Sequence, residues 1–389
     1  MISFYLAIKE VWRNKSRFLL FSMVIALITT LVLFIAGLAE GLATANREYL
    51  AKLDGELVVF QDNVDLSTTT SRVSESTLSR VRRVPGVAEA GPVGFSNATI
   101  VFSDGREDVD VSLIGVEPGY PGGAPAFTGR NLENRLAEET VIDGKMAEQA
   151  GIQVGDIITI KSIQGTDEEY FDLKVAGITD GRQYFFQPSI FIPLEVWDEI
   201  RPQAALAGAG GMAGSEVAYN ILAVQLDDPA ALESMAAAIQ TQVEDVEVTD
   251  VVTAYEATPG YAAQQSTLNT QRGFTLLIGI LVIGGFFQIQ TLQKIPNIGM
   301  LKAIGTGNRT VGGAVVLQIL AVTVFGVLLG AAGTLALSLG LPEGIPIVFT
   351  GQAAAAAILS LILIGPIGGL VSVWMAVKAE PLMALGLSS

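Results

Sequence analysis

Four long stretches of the sequence contain no charged residue. Phe18–Ala39 provides 22 uncharged residues and Gly273–Gln293 provides 21. A further 33 lie between Arg309 and Glu343, and 34 lie between Glu343 and Lys378. Because a membrane core needs about 20 apolar residues in a helix, each stretch is long enough to cross a bilayer. We place the four predicted transmembrane helices at residues 18–42, 271–293, 311–340 and 353–377.

Residues 43–270, between the first two predicted spans, have shorter periodicities. Alternating apolar and polar residues predict strands, as in Ile157–Ile163, and helical spacing predicts helices, as in Ser76–Val84 with Ser74 as its cap. Ser103-Asp104-Gly105 indicates a hairpin turn. The predicted fold is a four-helix integral membrane protein with a large mixed α/β domain inserted between helices 1 and 2. Other strands are predicted at 56–61, 98–102, 108–116, 171–179, 189–193, 220–226 and 246–252, and other helices at 229–243 and 254–272.

The remaining segments are short. In residues 1–17 the apolar positions share one helical face, which predicts an amphipathic helix on the inner membrane surface. The alternative is a plain extension of the first span. Residues 294–310 form a predicted loop, 341–352 a second loop and 378–389 a tail. A cleaved signal peptide is disfavoured because the first uncharged stretch exceeds the usual apolar region of about 7–15 residues.

Charge is distributed unevenly along the chain. Residues 43–270 hold 35 acidic and 14 basic residues, whereas the rest of the chain holds 4 acidic and 9 basic ones. Basic residues lie before the first span, between the second and third, and after the fourth, with none between the third and fourth. The positive-inside rule therefore predicts that both termini and residues 294–310 are cytoplasmic and that residues 43–270 are extracytoplasmic. The acidity of residues 43–270 argues against nucleic acid as a partner.

The composition also limits the chemistry. The sequence has no Cys and no His, so it lacks a Cys nucleophile, the commonest general base and the commonest metal ligand. Gly144-Lys145 is followed by Met146 and lacks the spacing of a nucleotide-binding loop. We interpret Asp227-Asp228 as a solvated turn, since no calcium-ligand spacing surrounds it. We expect no catalytic residue, no metal site and no intrinsic cofactor; ATP and Mg, if used, belong to a partner chain.

A short segment between spans two and three carries the most specific pattern. Met300, Leu301 and Ile304 share one face of a short predicted helix bounded by Gly299 and Gly305. A short apolar helix on the cytoplasmic side of a membrane protein favours docking in the groove of a partner. The alternative is a helix that lies flat on the lipid surface.

This segment, "IGMLKAIGTGNRTV" (298–311), resembles the "IGxLKAIGAS" signature of FtsX-like permeases in MacB-type ABC transporters. "LAIKEVWRNKSRFLL" (6–20) and "AEPLMAL" (379–385) are similar to the entry helix and C-terminal motif of the same family. The resemblance covers essentially the whole chain, although many members have a charged residue where Pro296 and Asn297 stand. It implies a coupling helix that docks on a separate ATPase, formed here by Ile298, Gly299, Met300, Leu301, Lys302, Ala303, Ile304 and Gly305.

A closer resemblance links the chain to the HrtB-type permeases, which export haem. "FIAGLAEGLATANREYL" (34–50) and "GYAAQQSTLNTQRGF" (260–274) look like the stretches that flank the outer domain in that subfamily. Carried over, the resemblance implies substrate-binding candidates at Glu40, Asn46, Tyr49, Tyr261, Gln264 and Arg272. Without His, an iron ligand would be Tyr, Met or a carboxylate, and Arg272 would pair with a propionate. The alternative is that these residues cap helix ends at the membrane interface.

Together these observations predict a permease that is not itself an enzyme. We expect a homodimer in membrane lipid, paired with two copies of an ATPase subunit, with haem or a similar amphipathic compound as cargo. The alternatives are a transducer that moves no cargo and activates an outside partner such as a cell-wall hydrolase, and a sensor of antimicrobial peptides.

Overall fold

A computed structural model of the chain describes residues 15–202, 218–258, 260–340, 347–349 and 351–379. The chain divides into two compact units. The helical unit comprises Met1–Leu42 and Gln264–Ser389, and the inserted domain comprises Ala43–Ala263. Most of the predicted N-terminal amphipathic helix, most of the 341–352 loop and nearly all of the 378–389 tail lie outside the described residues.

Nine α-helices occur within the described ranges. They are α1 (Lys15–Ala51), α2 (Glu75–Val81), α3 (Gly144–Ala150), α4 (Leu194–Ile200), α5 (Leu232–Gln242), α6 (Val251–Glu256), α7 (Tyr261–Ala303), α8 (Asn308–Ser338) and α9 (Gly351–Lys378). Helices α1, α7, α8 and α9 are long and apolar enough to cross a membrane, which confirms the four predicted spans. Ser74 accepts a hydrogen bond from the Thr77 backbone N–H and caps α2 as predicted.

One prediction about the helices is wrong. The segment 298–305 was expected to form a separate short helix that begins at Gly299, but α7 continues from Tyr261 through Pro296 and Gly299 to Ala303. Pro296 removes one backbone N–H donor, and membrane helices tolerate this loss because neighbouring groups satisfy the freed carbonyl. The segment is therefore the end of a 43-residue helix.

Small residues allow the helices of the helical unit to approach closely. A Cβ added at Gly284 of α7 would lie 2.8 Å from the Gly368 carbonyl oxygen of α9, and one at Gly330 of α8 would lie 2.5 Å from Thr29 Cβ of α1. Between these contacts lies an apolar cluster drawn from all four helices, including Ile25, Phe287, Ile319 and Leu361. Close glycine packing is the usual basis of helix association in lipid, where the hydrophobic effect contributes little.

The described part of the inserted domain contains thirteen strands. They are β1 (Leu57–Gln61), β2 (Val73–Ser74), β3 (Val87–Val101), β4 (Val109–Val116), β5 (Thr128–Gly129), β6 (Glu139–Ile142), β7 (Ile157–Gln164), β8 (Asp167–Ile178), β9 (Gln183–Tyr184), β10 (Gln187–Pro193), β11 (Ala218–Tyr219), β12 (Ile221–Leu226) and β13 (Val246–Asp250). Eleven of them form one sheet, and β2 pairs with β11 separately. The mixed α/β prediction is confirmed.

The long sheet has two regions. Strands β13, β1, β12 and β3 form an antiparallel ladder. From β3 the pairing continues through β4, β10, β6, β8 and β7 and returns to β3, so these six strands close a ring. Two of its pairings, β4 with β10 and β6 with β8, are parallel. Closure removes the exposed edges that an open sheet would present.

Alternate side chains of the sheet enter two separate cores. Leu57 and Val59 of β1 belong to one apolar cluster, whereas Val58 and Phe60 belong to the other. Because neighbouring residues of a strand point to opposite faces, β1 is covered on both sides. The second core also holds Tyr49 and Leu50, from the C-terminal end of α1.

Several elements of the inserted domain differ from the predictions. The helix expected at 254–272 is divided into α6, which ends at Glu256, and α7, which begins at Tyr261. Strand β3 begins at Val87, eleven residues before the predicted strand, and helix α4 was not predicted. Gly91, Pro92 and Gly94 interrupt the alternation of β3, and these residue types ordinarily weaken a strand. The structure accounts for Gly94, since a Cβ there would lie 2.6 Å from the Trp197 ring of α4.

Adjacent glycines of α7 provide a test of the helix packing. Gly284→Ala places a methyl group against the Gly368 carbonyl, whereas Gly285→Ala places it in open space. We expect Gly284→Ala to destabilise the helical unit by about 1–3 kcal/mol and Gly285→Ala to leave it unchanged or slightly more stable. Thermal unfolding of the full chain in detergent measures both. Equal unfolding temperatures for the two variants would show that the α7–α9 contact is not close.

Candidate functional site

Helix α7 ends in a defined hydrogen-bonded turn. The Thr306 N–H donates to the Leu301 carbonyl at 3.1 Å, and the Gly305 N–H donates to the Lys302 carbonyl at 2.9 Å. Gly305 has a φ of 98°, a backbone conformation that residues with a Cβ rarely adopt. These two bonds form a Schellman motif, which satisfies carbonyls at the helix end. Helix α8 begins at Asn308, so the connection between α7 and α8 is tight.

The end of α7 has one buried side and one exposed side. Ile298 packs in a small cluster with Val311, Ala376 and Ala379. In contrast Met300 is 59% exposed, Leu301 38% and Ile304 79%. We call Met300, Leu301 and Ile304 the exposed apolar triad. The apolar face expected from the sequence is thus exposed, and the opposite side of the helix end packs within the chain through Ile298.

Lys302 belongs to the predicted coupling set but binds within the chain. Its Nζ donates to the Val377 carbonyl at 2.5 Å and to the Ala379 carbonyl at 3.0 Å. These carbonyls lie at the C-terminal end of α9, where unpaired oxygens and the helix dipole favour a cation. Lys302 therefore joins the end of α7 to the end of α9.

A second candidate site lies between α1 and α7 within the helical unit. It is a cavity of about 70 Å³, here called the α1–α7 cleft. Its lining includes Glu40 and Arg272, two of the residues proposed for cargo binding. The other lining residues are Ile35, Ala36, Ala39, Gln265, Leu268 and Asn269. The cleft combines a carboxylate, a guanidinium and two amides with an apolar wall, and its volume matches one polar group of a ligand rather than a whole drug-sized molecule.

The predicted set included Gln264 but missed its neighbour Gln265. Gln264 does not belong to the cleft lining, whereas Gln265, Leu268, Asn269 and Arg272 do. Residues 265, 268, 269 and 272 follow the helical spacing of one face. That spacing, counted from Arg272, is the sequence signal that could have identified them.

The remaining three candidates are packed inside the inserted domain. Tyr49 is fully buried, and its hydroxyl donates to the Gly122 carbonyl at 2.7 Å. Tyr261 is also buried, and its hydroxyl accepts a hydrogen bond from Arg47 at 2.9 Å. Asn46 is 1% exposed, and its Oδ1 accepts no hydrogen bond from the described residues. In this conformation the three side chains are parts of the core.

A group of ion pairs holds the C-terminal end of α1 in the inserted domain. Buried Glu48 accepts hydrogen bonds from Lys52 at 2.9 Å and from Lys145 at 3.2 Å. Lys52 also donates to Asp180 at 2.9 Å, and Arg182 donates to Asp180 at 2.8 Å. Sequence reasoning missed these five residues, here called the ion network, because the pairing joins positions 128 residues apart.

The ion network shifts the pKa values of Asp180 and Lys52. Burial works against the charged form of Asp180, but hydrogen bonds from Arg182 and Lys52 lower the pKa of its carboxyl to about 2. Partial burial likewise disfavours charged Lys52, and hydrogen bonds to Asp180 and Glu48 nevertheless raise its pKa. Both groups are therefore charged at neutral pH, and the pairing is strongest when both are ionised.

The low pKa of Asp180 predicts a pH-dependent contribution to stability. Because the folded pKa lies below the ordinary 3.8, the stabilisation is present above about pH 4 and is lost as pH falls toward 2. We expect Asp180→Asn to destabilise the chain by about 1 kcal/mol at pH 7, a modest value because Asp180 is partly exposed to solvent. The difference in unfolding free energy between this variant and the wild type should narrow below pH 4. Denaturation of the full chain measures this difference, with Asp167→Asn as the control. A gap that stays constant down to pH 2.5 would contradict this account.

Comparisons with known proteins place both units among permeases. A family model of the MacB-like periplasmic core domain matches residues 18–242, and a model of the FtsX-like permease C-terminal region matches residues 273–381. A Staphylococcus haemolyticus protein named as a hemin transport system permease protein, HrtB, is 26% identical over 381 residues, covering 98% of this chain and 99% of that protein. A Staphylococcus epidermidis protein of the same name is 26% identical over 383 residues, again covering 98% and 99%.

Two solved domains are also similar. The extracellular domain of the noncanonic ABC-type transporter YknZ from Gram-positive bacteria is 17% identical, with a TM-score of 0.35, and covers 50% of this chain and 99% of that domain. The periplasmic region of MacB from Actinobacillus actinomycetemcomitans is 13% identical, with a TM-score of 0.36, and covers 51% of this chain and 90% of that region.

Proposed function

The chain belongs to the FtsX-like, MacB-type permeases of ABC transporters, and we propose that it couples to a separate ATPase and extrudes haem or a similar amphipathic compound from the membrane. Permeases of this family are membrane proteins with an extracytoplasmic domain and are not themselves enzymes. The proposed assembly is a homodimer with two ATPase copies, both termini of each chain in the cytoplasm, and ATP and Mg held by the ATPase.

The exposed apolar triad carries the proposal of ATPase coupling. Three apolar side chains point outward from a helix end whose other side is packed through Ile298 and tied through Lys302. An apolar surface on a rigid helix end suits insertion in a groove of a protein partner. Rigid support behind the triad lets a displacement of the partner move the helix instead of deforming the segment.

The continuity of α7 provides the proposed route by which a movement of the ATPase reaches the other end of the helix. Because α7 has no break between Tyr261 and Ala303, a push at one end displaces the whole element, which is about 65 Å long. Lys302 would pass the same movement to α9. ATP-driven closure of the ATPase pair would thus act on two helices together, as a two-state element biased from a distant site.

The α1–α7 cleft supports haem or a similar amphipathic molecule as cargo. Arg272 offers a charge-assisted hydrogen bond to a propionate, and Glu40 offers an oxygen to iron or to a donor group. The relatives named as hemin transport permeases lend the same cargo further support. Since Tyr49 and Tyr261 are buried in the inserted domain, we assign the polar cargo contacts to Glu40 and Arg272.

A second candidate function is transduction without transport. The ion network fixes the end of α1 in the inserted domain, so movement of α1 would move the fixed residues as one body. Such a chain would activate an outside partner, such as a cell-wall hydrolase, or respond to antimicrobial peptides. Deletion followed by exposure to haem separates the two functions, because a transducer predicts a growth or chaining defect and no sensitivity to haem.

Charge substitutions in the exposed apolar triad test the coupling. Leu301→Asp with Ile304→Asp should reduce recovery of the ATPase with the purified chain at least tenfold, because each substitution removes about 1.5–3 kcal/mol of apolar burial. Phe127→Asp with Leu136→Asp is the matched control, since these residues are also highly exposed but lie in the inserted domain. Undiminished recovery of a stimulated ATPase with the Leu301/Ile304 variant would refute the coupling proposal.

Arg272 provides the test of the cargo. Arg272→Gln should weaken haem binding by the purified permease–ATPase complex about tenfold, the loss expected from one charge-assisted hydrogen bond. Arg83→Gln removes the same charge from an exposed position in the inserted domain and should leave binding unchanged. Titrations followed by Soret absorbance measure both. Equal affinities in the two variants, or no spectral change with haem at all, would remove the haem assignment without affecting the coupling result.

A further inference from the structure

A cavity of about 360 Å³ lies within the inserted domain and is lined by helices α2 and α4. We call it the α2–α4 pocket. Its lining includes two carboxylates, Glu75 and Glu195, the phenol of Tyr219, and the apolar side chains of Leu78 and Leu194. The volume is at the lower end of the range for small-molecule sites. The pocket is separate from the α1–α7 cleft, whose lining belongs to the helical unit.

The elements that line the α2–α4 pocket are firmly placed. Tyr219 of β11 lies opposite Val73 of β2, and β2 leads directly through Ser74, the cap, to the start of α2. Helix α4 is held by Trp197, which is buried and whose Nε1 donates to the Ser96 hydroxyl at 2.9 Å. The pocket is therefore formed without a ligand, which lowers the cost of ordering side chains when one binds.

The hydroxyl of Tyr219 lacks a partner among the residues that the structure describes. Tyr219 is only 6% exposed, and its hydroxyl forms no hydrogen bond with any of them. Buried tyrosine hydroxyls ordinarily have a hydrogen-bond partner. Because Tyr219 lines the α2–α4 pocket, a ligand in the pocket can supply the missing partner.

Negative charge surrounds this hydroxyl. Burial raises the pKa of the Tyr219 hydroxyl, and the charges of Glu75 and Glu195 raise it further, whereas the charge of Arg82 lowers it. The hydroxyl is therefore protonated at neutral pH and can both donate and accept a hydrogen bond. A carboxylate-rich surrounding of this kind favours a cationic ligand.

The two arginines that line the pocket are already bound to Glu117. Arg82 donates to Glu117 at 2.6 Å and to the Ala90 carbonyl at 2.7 Å. Arg135 pairs with the other carboxylate oxygen of Glu117 and comes only within 4.0 Å of Glu195. These contacts occupy the guanidinium groups, so the arginines are poorly placed to bind an anionic ligand.

The pocket keeps one negative charge after its ion pairs are counted. It has four acidic side chains, two arginines in its lining, and a third arginine, Arg201, paired with Asp198 at 2.7 Å. Glu75 forms no ion pair with any described residue. No three acidic side chains in the described ranges are grouped closely enough to hold a metal ion. An ammonium group has three N–H donors and can bond to separate oxygens at once.

We propose that the α2–α4 pocket binds a small molecule that carries a primary ammonium group on a short apolar chain. The ammonium group donates to Glu75, to Glu195 and to the Tyr219 hydroxyl, and the chain contacts Leu78 and Leu194. This site is independent of the proposed cargo site and of ATPase coupling.

Three probes of equal chain length test the charge preference. Pentylamine, 1-pentanol and pentanoate are titrated by calorimetry into the full chain in lipid nanodiscs, with empty nanodiscs as the blank. We expect pentylamine to bind at least tenfold more tightly than 1-pentanol, because its hydrogen bonds to carboxylates are charge-assisted. Equal affinities for the amine and the alcohol, or tighter binding of pentanoate, would overturn the proposal.

Substitutions locate the binding in the pocket. Glu75→Gln should weaken pentylamine binding about tenfold, and Tyr219→Phe, which keeps the ring and guards against loss of folding, at least threefold. Glu169→Gln removes the same charge from an exposed position on β8 and should leave the affinity unchanged. Equal weakening by Glu75→Gln and Glu169→Gln would show a general attraction to the acidic domain and would overturn the site.

A capped lysine distinguishes a free amine from a lysine side chain of a peptide. Nα-acetyl-lysine methylamide carries the same ammonium group, but its peptide groups would lie against Leu78 and Leu194 without partners. We therefore expect it to bind at least threefold more weakly than pentylamine. Tighter binding of the capped lysine would overturn the assignment to a small molecule.

Discussion

The backbone of a helix inside a membrane has no water to bind, so its hydrogen bonds must be made within the protein. This constraint shapes α7, which continues from Tyr261 to Ala303 although Pro296 and Gly299 lie near its end. The helix stops only where Gly305 adopts a left-handed conformation and completes the Schellman motif. The exposed apolar triad is therefore presented at the end of the same helix that crosses the membrane, and this continuity underlies the proposed coupling.

Close backbone contacts and polar contacts at the helix ends then connect the long helices to their neighbours. Gly284 against Gly368 brings α7 and α9 within backbone distance, and Lys302 joins their C-terminal ends. Removing a partner from such a contact is costly, since buried carbonyls at a helix end remain unsatisfied. In the inserted domain, the ion network performs a similar task for the end of α1. Helices α1, α7 and α9 are thus each fixed at a defined point by polar contacts.

The sequence predicted the features that depend on local pattern. The four apolar helices, the Ser74 cap and most strands follow from periodicity and capping, which neighbouring residues determine. The strand predicted at 98–102 was too short because Gly91, Pro92 and Gly94 break the alternation of apolar and polar residues. A side chain at Gly94 would collide with the ring of Trp197, which is far away in the sequence. The ion network and the burial of Tyr49 were missed for a related reason. They depend on contacts between residues far apart in the chain, and a single sequence carries no record of such pairs.

Rigid movement of α7 is the central claim, and distances between spin labels test it directly. Labels at Gln265→Cys and Thr306→Cys in one variant mark the two ends of the helix, and a second variant pairs Thr306→Cys with Lys378→Cys at the end of α9. In permease–ATPase dimers with one labelled copy, ATP binding should leave both distances unchanged, while the distance from Gln265→Cys to Ser338→Cys at the end of α8 shifts by several ångströms. A change in the 265–306 distance would show that α7 bends near Pro296, and no change in the 265–338 distance would show that the helix does not move; either result would contradict transmission through one continuous helix.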